Sequence, residues 1–212
     1  MRTRPILMAT AGLALAAALT GCASTSDGTA TAPSSPTAGA GMMNGAASVS
    51  PGSDTDIAFA QLMIPHHQQA IQMADLAATN ATSAEVKALA AQIKAAQDPE
   101  ISMMSQWLAG WGAPIEMEGT TDGGMDHGDM DMGGMNVAGM MSAQEMDNLG
   151  AAAGADFDTM WLQMMTAHHQ GAIAMAQQVA DTTTNPAVQE LADAIIAGQT
   201  TEITTMQQLL AK

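Results

Sequence analysis

The sequence predicts an all-α fold, a four-helix bundle made from two duplicated helical hairpins joined by a long crossover. Three observations predict it. The first is an internal repeat: His66-His67 recurs as His168-His169, an offset of 102 residues (168 − 66). At that offset Asp56, Gln61, Met63, Gln68, Ala70, Ile71, Met73 and Ala74 match Asp158, Gln163, Met165, Gln170, Ala172, Ile173, Met175 and Ala176. The match continues through Val86/Val188, Leu89/Leu191, Ile93/Ile195, Gln97/Gln199, Glu100/Glu202, Ile101/Ile203 and Met104/Met206. The second is apolar spacing of alternating four and three residues, which puts one stripe of a helix against a core. The third is that no stretch alternates with period two for long enough to suggest a sheet.

The elements follow in order. The first helix is expected over about Asp54–Ala78, where Phe59, Met63, His66, Ala70, Met73 and Ala77 form the stripe. A second helix, about Ala84–Leu108, is opened by Thr82-x-x-Glu85, which has the form of a capping box. Its stripe is Ile93, Gln97, Glu100, Met104 and Leu108. A short helix is expected from Ser142, where Ser142-x-x-Glu145 repeats the capping pattern. The second hairpin comprises about Asp156–Ala180, with Trp161, Met165, His168, Ala172 and Met175 inward, and Pro186–Leu210. Asn185-Pro186 supplies an N-cap followed by proline at the first helical position. The helical domain is therefore 54–211: repeat 1 over 54–111, a Met-rich linker over 112–154, repeat 2 over 155–211. Roughly 155 residues suffice to bury one core.

Ahead of it, Arg2 and Arg4 precede an apolar run from Ile6 to Leu19. That run is too short to span a membrane but suits an export signal. Leu19-Thr20-Gly21-Cys22 resembles the lipobox of bacterial lipoproteins. The resemblance implies a signal peptide over 1–21, lipidation of Cys22, and a protein anchored on the outer face of the cell membrane. Residues 22–53, rich in Ser, Thr, Ala, Pro and Gly, read as a disordered tether.

Composition narrows the chemistry. The formal charge is −16, and loss of the signal segment would make it −18 (3 − 21), which excludes nucleic acid as a partner. Cys22 is the one cysteine, so neither an intramolecular disulfide nor a thiolate-rich metal site can form. Ligands must come from His, Met, carboxylates or backbone. The chain holds 21 Met but no Tyr and two Phe. Methionine fills cores, and its thioether is also a soft ligand suited to Cu(I).

The stripe positions make His66 and His168 the inward members of their pairs. His67 and His169 lie about 100° round the helix, on a flank. Glu100 and Glu202 fall on faces expected to be buried, where a carboxylate needs a partner or a cation. Two readings account for this set. In one, His66 and His168 hydrogen-bond Glu100 and Glu202, and the methionines merely pack. In the other, pseudo-twofold packing brings His66, His67, His168, His169, Glu100 and Glu202 together around a metal. Met63, Met73, Met104, Met165, Met175 and Met206 then complete its surroundings. Copper, as Cu(I) or Cu(II), is the first choice, with zinc or iron as alternatives. In the linker, Met125, His127, Met130, Met132 and Met135 lie among Asp and Gly, outside any core, and read as a labile capture segment for copper.

The segments Phe59-x-x-x-Met63-Ile64-x-His66-His67-Gln68-x-Ala70 and Gly139-Met140-Met141 resemble the DUF305 family, as does Gly154–Asp158 with Met165-x-x-His168-His169-Gln170-Gly171-Ala172-Ile173-x-Met175-Ala176. The likeness spans about Asp54 to Leu210. It implies a ferritin-like four-helix bundle in the bacterial envelope and, for some members, copper binding or tolerance. It does not identify an enzymatic activity, and no nucleophilic, nucleotide-binding or His-Glu-x-x-His motif points to one. The expected role is copper sequestration, transfer or tolerance outside the cytoplasm. Alternatives are a ferritin-like metal-dependent oxidoreductase and a metal-free envelope interaction or stress protein.

Overall fold

The computed structural model describes residues 50–116 and 137–212. The signal segment, Cys22, most of the tether, and the linker residues Met125, His127, Met130, Met132 and Met135 lie outside the described residues.

Five helices make up the described chain: α1 (Asp54–Asn80), α2 (Ala84–Trp111), α3 (Ala143–Ala151), α4 (Gly154–Ala180) and α5 (Pro186–Leu210). No strand occurs among the described residues, and no helix there is long and apolar enough to cross a membrane. The helix starts follow from side-chain caps. Ser53 and Asp56 form a capping box at α1, and Ser142 and Glu145 form the expected one at α3. Asn185 caps α5, with Pro186 in its first turn.

The start of α2 differs from expectation. Ser83, not Thr82, is its N-cap, accepting from the Val86 amide at 3.2 Å. Thr82 instead turns to the other hairpin, donating its hydroxyl to Asp158 at 2.7 Å. Asp158 also accepts from the backbone amide of Ser83 at 2.9 Å, so a carboxylate of α4 satisfies donors at the mouth of α2. The last turn of α2 runs on to Trp111, whose indole donates to the Ser50 carbonyl at 2.7 Å.

In the bundle α1 packs on α2, α4 on α5, and α1 against α4, whereas α2 and α5 touch only slightly. The C-terminal part of α1 lies beside the N-terminal part of α4. Asn80 donates to the Gly150 carbonyl, and Trp161 Nε1 donates to the Met73 carbonyl at 2.9 Å within the core.

The core is divided in two. One apolar cluster joins Ala70–Ala77 of α1, Val86–Ile93 of α2, Phe157–Met165 of α4 and Met206 of α5. Its counterpart joins Phe59–Ile64, Met104–Leu108, Ala172–Val179 and Val188–Ile195. On each of the four long helices the gap between the clusters is polar and falls at the same level. It holds His66 and His67, Gln97 and Glu100, His168 and His169, and Gln199 and Glu202. The duplication thus exchanges the two apolar clusters and maps the polar layer onto itself.

Candidate metal centre

The polar layer is built by the stripe residues of α1 and α4. All four histidines are buried, none more than 1% exposed, so both members of each pair point inward. His67 and His169 lie on the flank that faces α2 and α5, which cover it and enclose the second ring as fully as the first. His66 and His168 meet across the axis relating the hairpins, with ring centroids 3.8 Å apart and planes inclined by 44°.

The carboxylates bind the other pair of rings from the one anticipated. His67 Nε2 donates to Glu100 Oε2 at 2.6 Å, and His169 Nε2 donates to Glu202 Oε2 at 2.8 Å. Each bond closes one hairpin, spanning 33 residues both times. Glu100 and Glu202 are not interior groups either; their side chains keep 21% and 20% of their exposure. They stand at the edge of the core, each linked to it through an imidazole.

The inner nitrogens have no partners. The Nδ1 atoms of His66, His67, His168 and His169 are all buried without a hydrogen bond, and so is Nε2 of His168. Five unpaired imidazole nitrogens in one layer are exceptional, because buried polar atoms are nearly always satisfied. Burial, and then the neighbouring imidazoles of His67 and His169, hold His66 down at about 3, against the upward pull of the Ala138 carbonyl. Burial, followed by the imidazoles of His66, His169 and His67, pushes His168 well below the usual histidine range. The inner rings are neutral at physiological pH, which leaves lone pairs free for a metal.

Thioethers bracket the layer. Met63, Met73, Met104, Met165 and Met206 are fully buried. Met63 and Met165 each precede an inner histidine by three residues, one helical turn on the same face. Met73 lies two turns beyond His66. Its repeat partner Met175 is only partly buried, so the two are not equivalent as expected. Met206 also differs from its partner Met104, because its sulfur accepts the Thr166 hydroxyl at 3.7 Å. The position matching Thr166 is Ile64, which has no donor.

Among the described residues, no three His, Cys, Asp or Glu side chains stand together as a ready metal cage. The layer nevertheless gathers donor types that a transition metal can use. Imidazole nitrogens with buried methionines one turn away on the same helices are donor types that could hold a soft or borderline transition metal. His66, His67, His168 and His169 would hold such an ion, with Met63 and Met165 the nearest sulfur donors along the chain.

The end of the crossover breaks the twofold symmetry. Residues 137–141 lie on the histidine layer. The Ala138 carbonyl sits 3.3 Å from His66 Nε2, and Gln69 clamps Met141 by accepting its amide at 2.7 Å and donating to its carbonyl at 2.8 Å. The repeat position of Gln69 is Gly171. A Cβ on Gly171 would lie 1.8 Å from the Ala138 oxygen. Gly139 has φ +84° and packs on the carbonyls of Ala167 and His168. Sequence reasoning passed over Gln69 and Gly171, although they are a visible mismatch inside an otherwise matched stretch. It also did not single out Ala138.

Fold and site together define a duplicated helical-hairpin protein with a buried histidine layer between methionine-lined halves. The chain belongs to the DUF305 family: the model of this domain of unknown function matches residues 56–210. No functionally curated protein matches the chain. Among solved structures, a DUF305 protein from Streptomyces coelicolor is 32% identical with a TM-score of 0.64, over 74% of this chain and 92% of that one. A DUF305 fragment from Deinococcus radiodurans is 28% identical with a TM-score of 0.65, over 76% and 99%. CopM in its Cu(II)-bound form is 33% identical with a TM-score of 0.60, over 74% and 95%. CopM has also been solved in a Cu(I)-bound form, 31% identical to this chain.

Proposed function

We propose that this protein binds copper outside the cytoplasm, to sequester it or hand it on, and that the histidine layer is the binding site. The observation that carries the proposal is the set of four buried, unpartnered Nδ1 atoms on two facing histidine pairs. Likeness to copper-bound CopM across three quarters of the chain supports it. His66, His67, His168 and His169 supply nitrogen donors, and Met63, Met165, Met73, Met104, Met175 and Met206 form the sulfur-bearing surroundings. Glu100 and Glu202 stand behind the second histidines. Methionines 125, 130, 132 and 135, with His127, form a labile capture segment ahead of the site. The lipobox-like Leu19–Cys22 supports a lipid anchor through Cys22, with the acidic domain held off the membrane by the tether.

The test is anaerobic loading with Cu(I), desalting, and measurement of retained metal, with zinc and Fe(II) loaded in parallel. Copper is expected to be retained by the wild type. It is expected to be lost in a variant with all four histidines replaced by Gln and helical content intact. Equal retention by that variant would sink the proposal, as would preferential retention of zinc or iron.

A further inference from the structure

We infer that Glu100 and Glu202 are positioning residues rather than ligands: each accepts a hydrogen bond from the Nε2–H of its histidine and so turns the bare Nδ1 of His67 or His169 inward as the metal-donor atom. The inference rests on the copper-binding reading and assigns the donor atoms within it.

Hydrogen-bond chemistry fixes the tautomer. An ionised carboxylate can only accept, so the nitrogen that faces it must carry the proton. At 2.6 and 2.8 Å both contacts are in the short range of charge-assisted bonds. In a neutral imidazole only one nitrogen carries hydrogen, so Nδ1 is left with its lone pair. That atom is buried and has no partner in either ring. The two nitrogens point away from each other across the ring. A metal on Nδ1 is therefore on the opposite side of the imidazole from the glutamate on Nε2, and one ion cannot bind both without turning the ring.

The geometry occurs twice, in hairpins whose surrounding sequences have diverged, with the same atoms and the same 33-residue separation. It is the usual outer arrangement of a ligating histidine, in which a carboxylate orients the ring and raises its basicity. His66 has a weaker version, with the Ala138 carbonyl 3.3 Å from Nε2, and a carbonyl also only accepts. His168 has no such bond of good geometry at either nitrogen, only the nearby backbone of His66, which pulls weakly upward on it. Three of the four rings are thus preset to offer Nδ1, and the fourth is set only by what it binds.

The experiment uses the full chain with 15N-labelled histidine, free of metal and at mildly alkaline pH. Long-range 1H–15N correlation spectra report each ring's tautomer. His67 and His169 are expected as Nε2–H, and E100A/E202A is expected to lose that preference while E100Q/E202Q, which can still accept, keeps it. In competition with a chromophoric Cu(I) chelator, E100A/E202A should bind Cu(I) 10- to 100-fold more weakly. Its light-atom coordination number by X-ray absorption should match the wild type. Nδ1–H tautomers in the wild type, or loss of a light-atom neighbour in E100Q/E202Q, would overturn the inference with copper binding intact. A wild type that shows the Nε2–H tautomers but retains no copper would overturn the copper-binding reading instead.

Discussion

His66 and His168 stand face to face across the axis that relates the two hairpins, their ring centroids 3.8 Å apart, and neither ring is charged at neutral pH. Equivalent positions in the repeat are thereby brought into contact. Whatever one ring binds through its inner edge is within reach of the other.

The first prediction concerns acid. The folded-state values of His66 and His168 are depressed, His66 to about 3, so the unfolded chain binds more protons than the folded one below the ordinary histidine value. Stability from these rings is complete above pH ~6.5. It is lost as the pH falls towards the folded value, by at most about 1.4 kcal/mol per pH unit for each ring. Denaturant melts of metal-free protein at pH 7 and pH 5 should show the fall, and H66Q/H168Q should flatten it. An equal slope in that variant would mean that the loss arises elsewhere.

Gly171→Ala should displace the crossover. Its Cβ would meet the Ala138 oxygen at 1.8 Å, an overlap that rotamer changes cannot relieve because both groups are backbone-fixed. Overpacking of this kind costs about 1–3 kcal/mol, partly offset by about 1 kcal/mol from the better helix propensity of alanine. Amide exchange is the sensitive readout: the Met140 and Met141 amides should lose protection. Unchanged exchange there would show that the segment is not seated on α4 as described.

Gln69→Ala removes both bonds to Met141 and should destabilise the protein by about 1–3 kcal/mol. Because Gln69 and Gly171 anchor the same five residues from opposite hairpins, the two substitutions should be non-additive. A double-mutant cycle measures this, and an interaction energy within about 0.5 kcal/mol of zero would separate the two anchors.

The thioethers should distinguish copper's oxidation states. M63L/M165L conserves volume, so its cost in stability should stay below about 1.5 kcal/mol. Its Cu(I) affinity should fall well beyond its Cu(II) affinity, since soft sulfur favours the reduced ion. Parallel titrations of both ions decide the point, and an equal loss for the two would remove Met63 and Met165 from the site.

Bound copper should also raise the melting temperature, and a chelator should reverse the rise, because a ligand specific to the folded state stabilises it by mass action. An unchanged melting curve in excess Cu(I) would favour the metal-free interaction reading.

Much of this molecule is legible in its sequence because its causes are local or periodic. Ser142, Glu145, Asn185 and Pro186 cap helices through atoms a few residues apart, and the stripe through Phe59, Met63, His66, Ala70, Met73 and Ala77 is buried as its spacing implies. The repeat at 102 residues carries the hairpin pairing and the belonging to DUF305. Where reasoning from one helix at a time failed, the deciding neighbour was remote. Ser83 took the capping role expected of Thr82, whose hydroxyl turns to a carboxylate of α4, and Met175 lost the burial of Met73 through packing that differs between the hairpins.

The sequence by itself thus determined four long helices, their duplication, and core-facing positions that set histidine, glutamine and glutamate among apolar residues. Spacing along a helix sets these, and spacing is written in the chain. Only the tertiary structure decided that Glu100 and Glu202 bind His67 and His169, leaving His66 and His168 to face each other. That choice depends on how α2 and α5 are rotated against α1 and α4. It also decided that the crossover rests on Gly171 and is held by Gln69, contacts that span 33 and 72 residues of chain at their nearest expression in Ala138 and Met141. Helical periodicity has no access to such distances, since they are set by the packing of side chains from both hairpins at once.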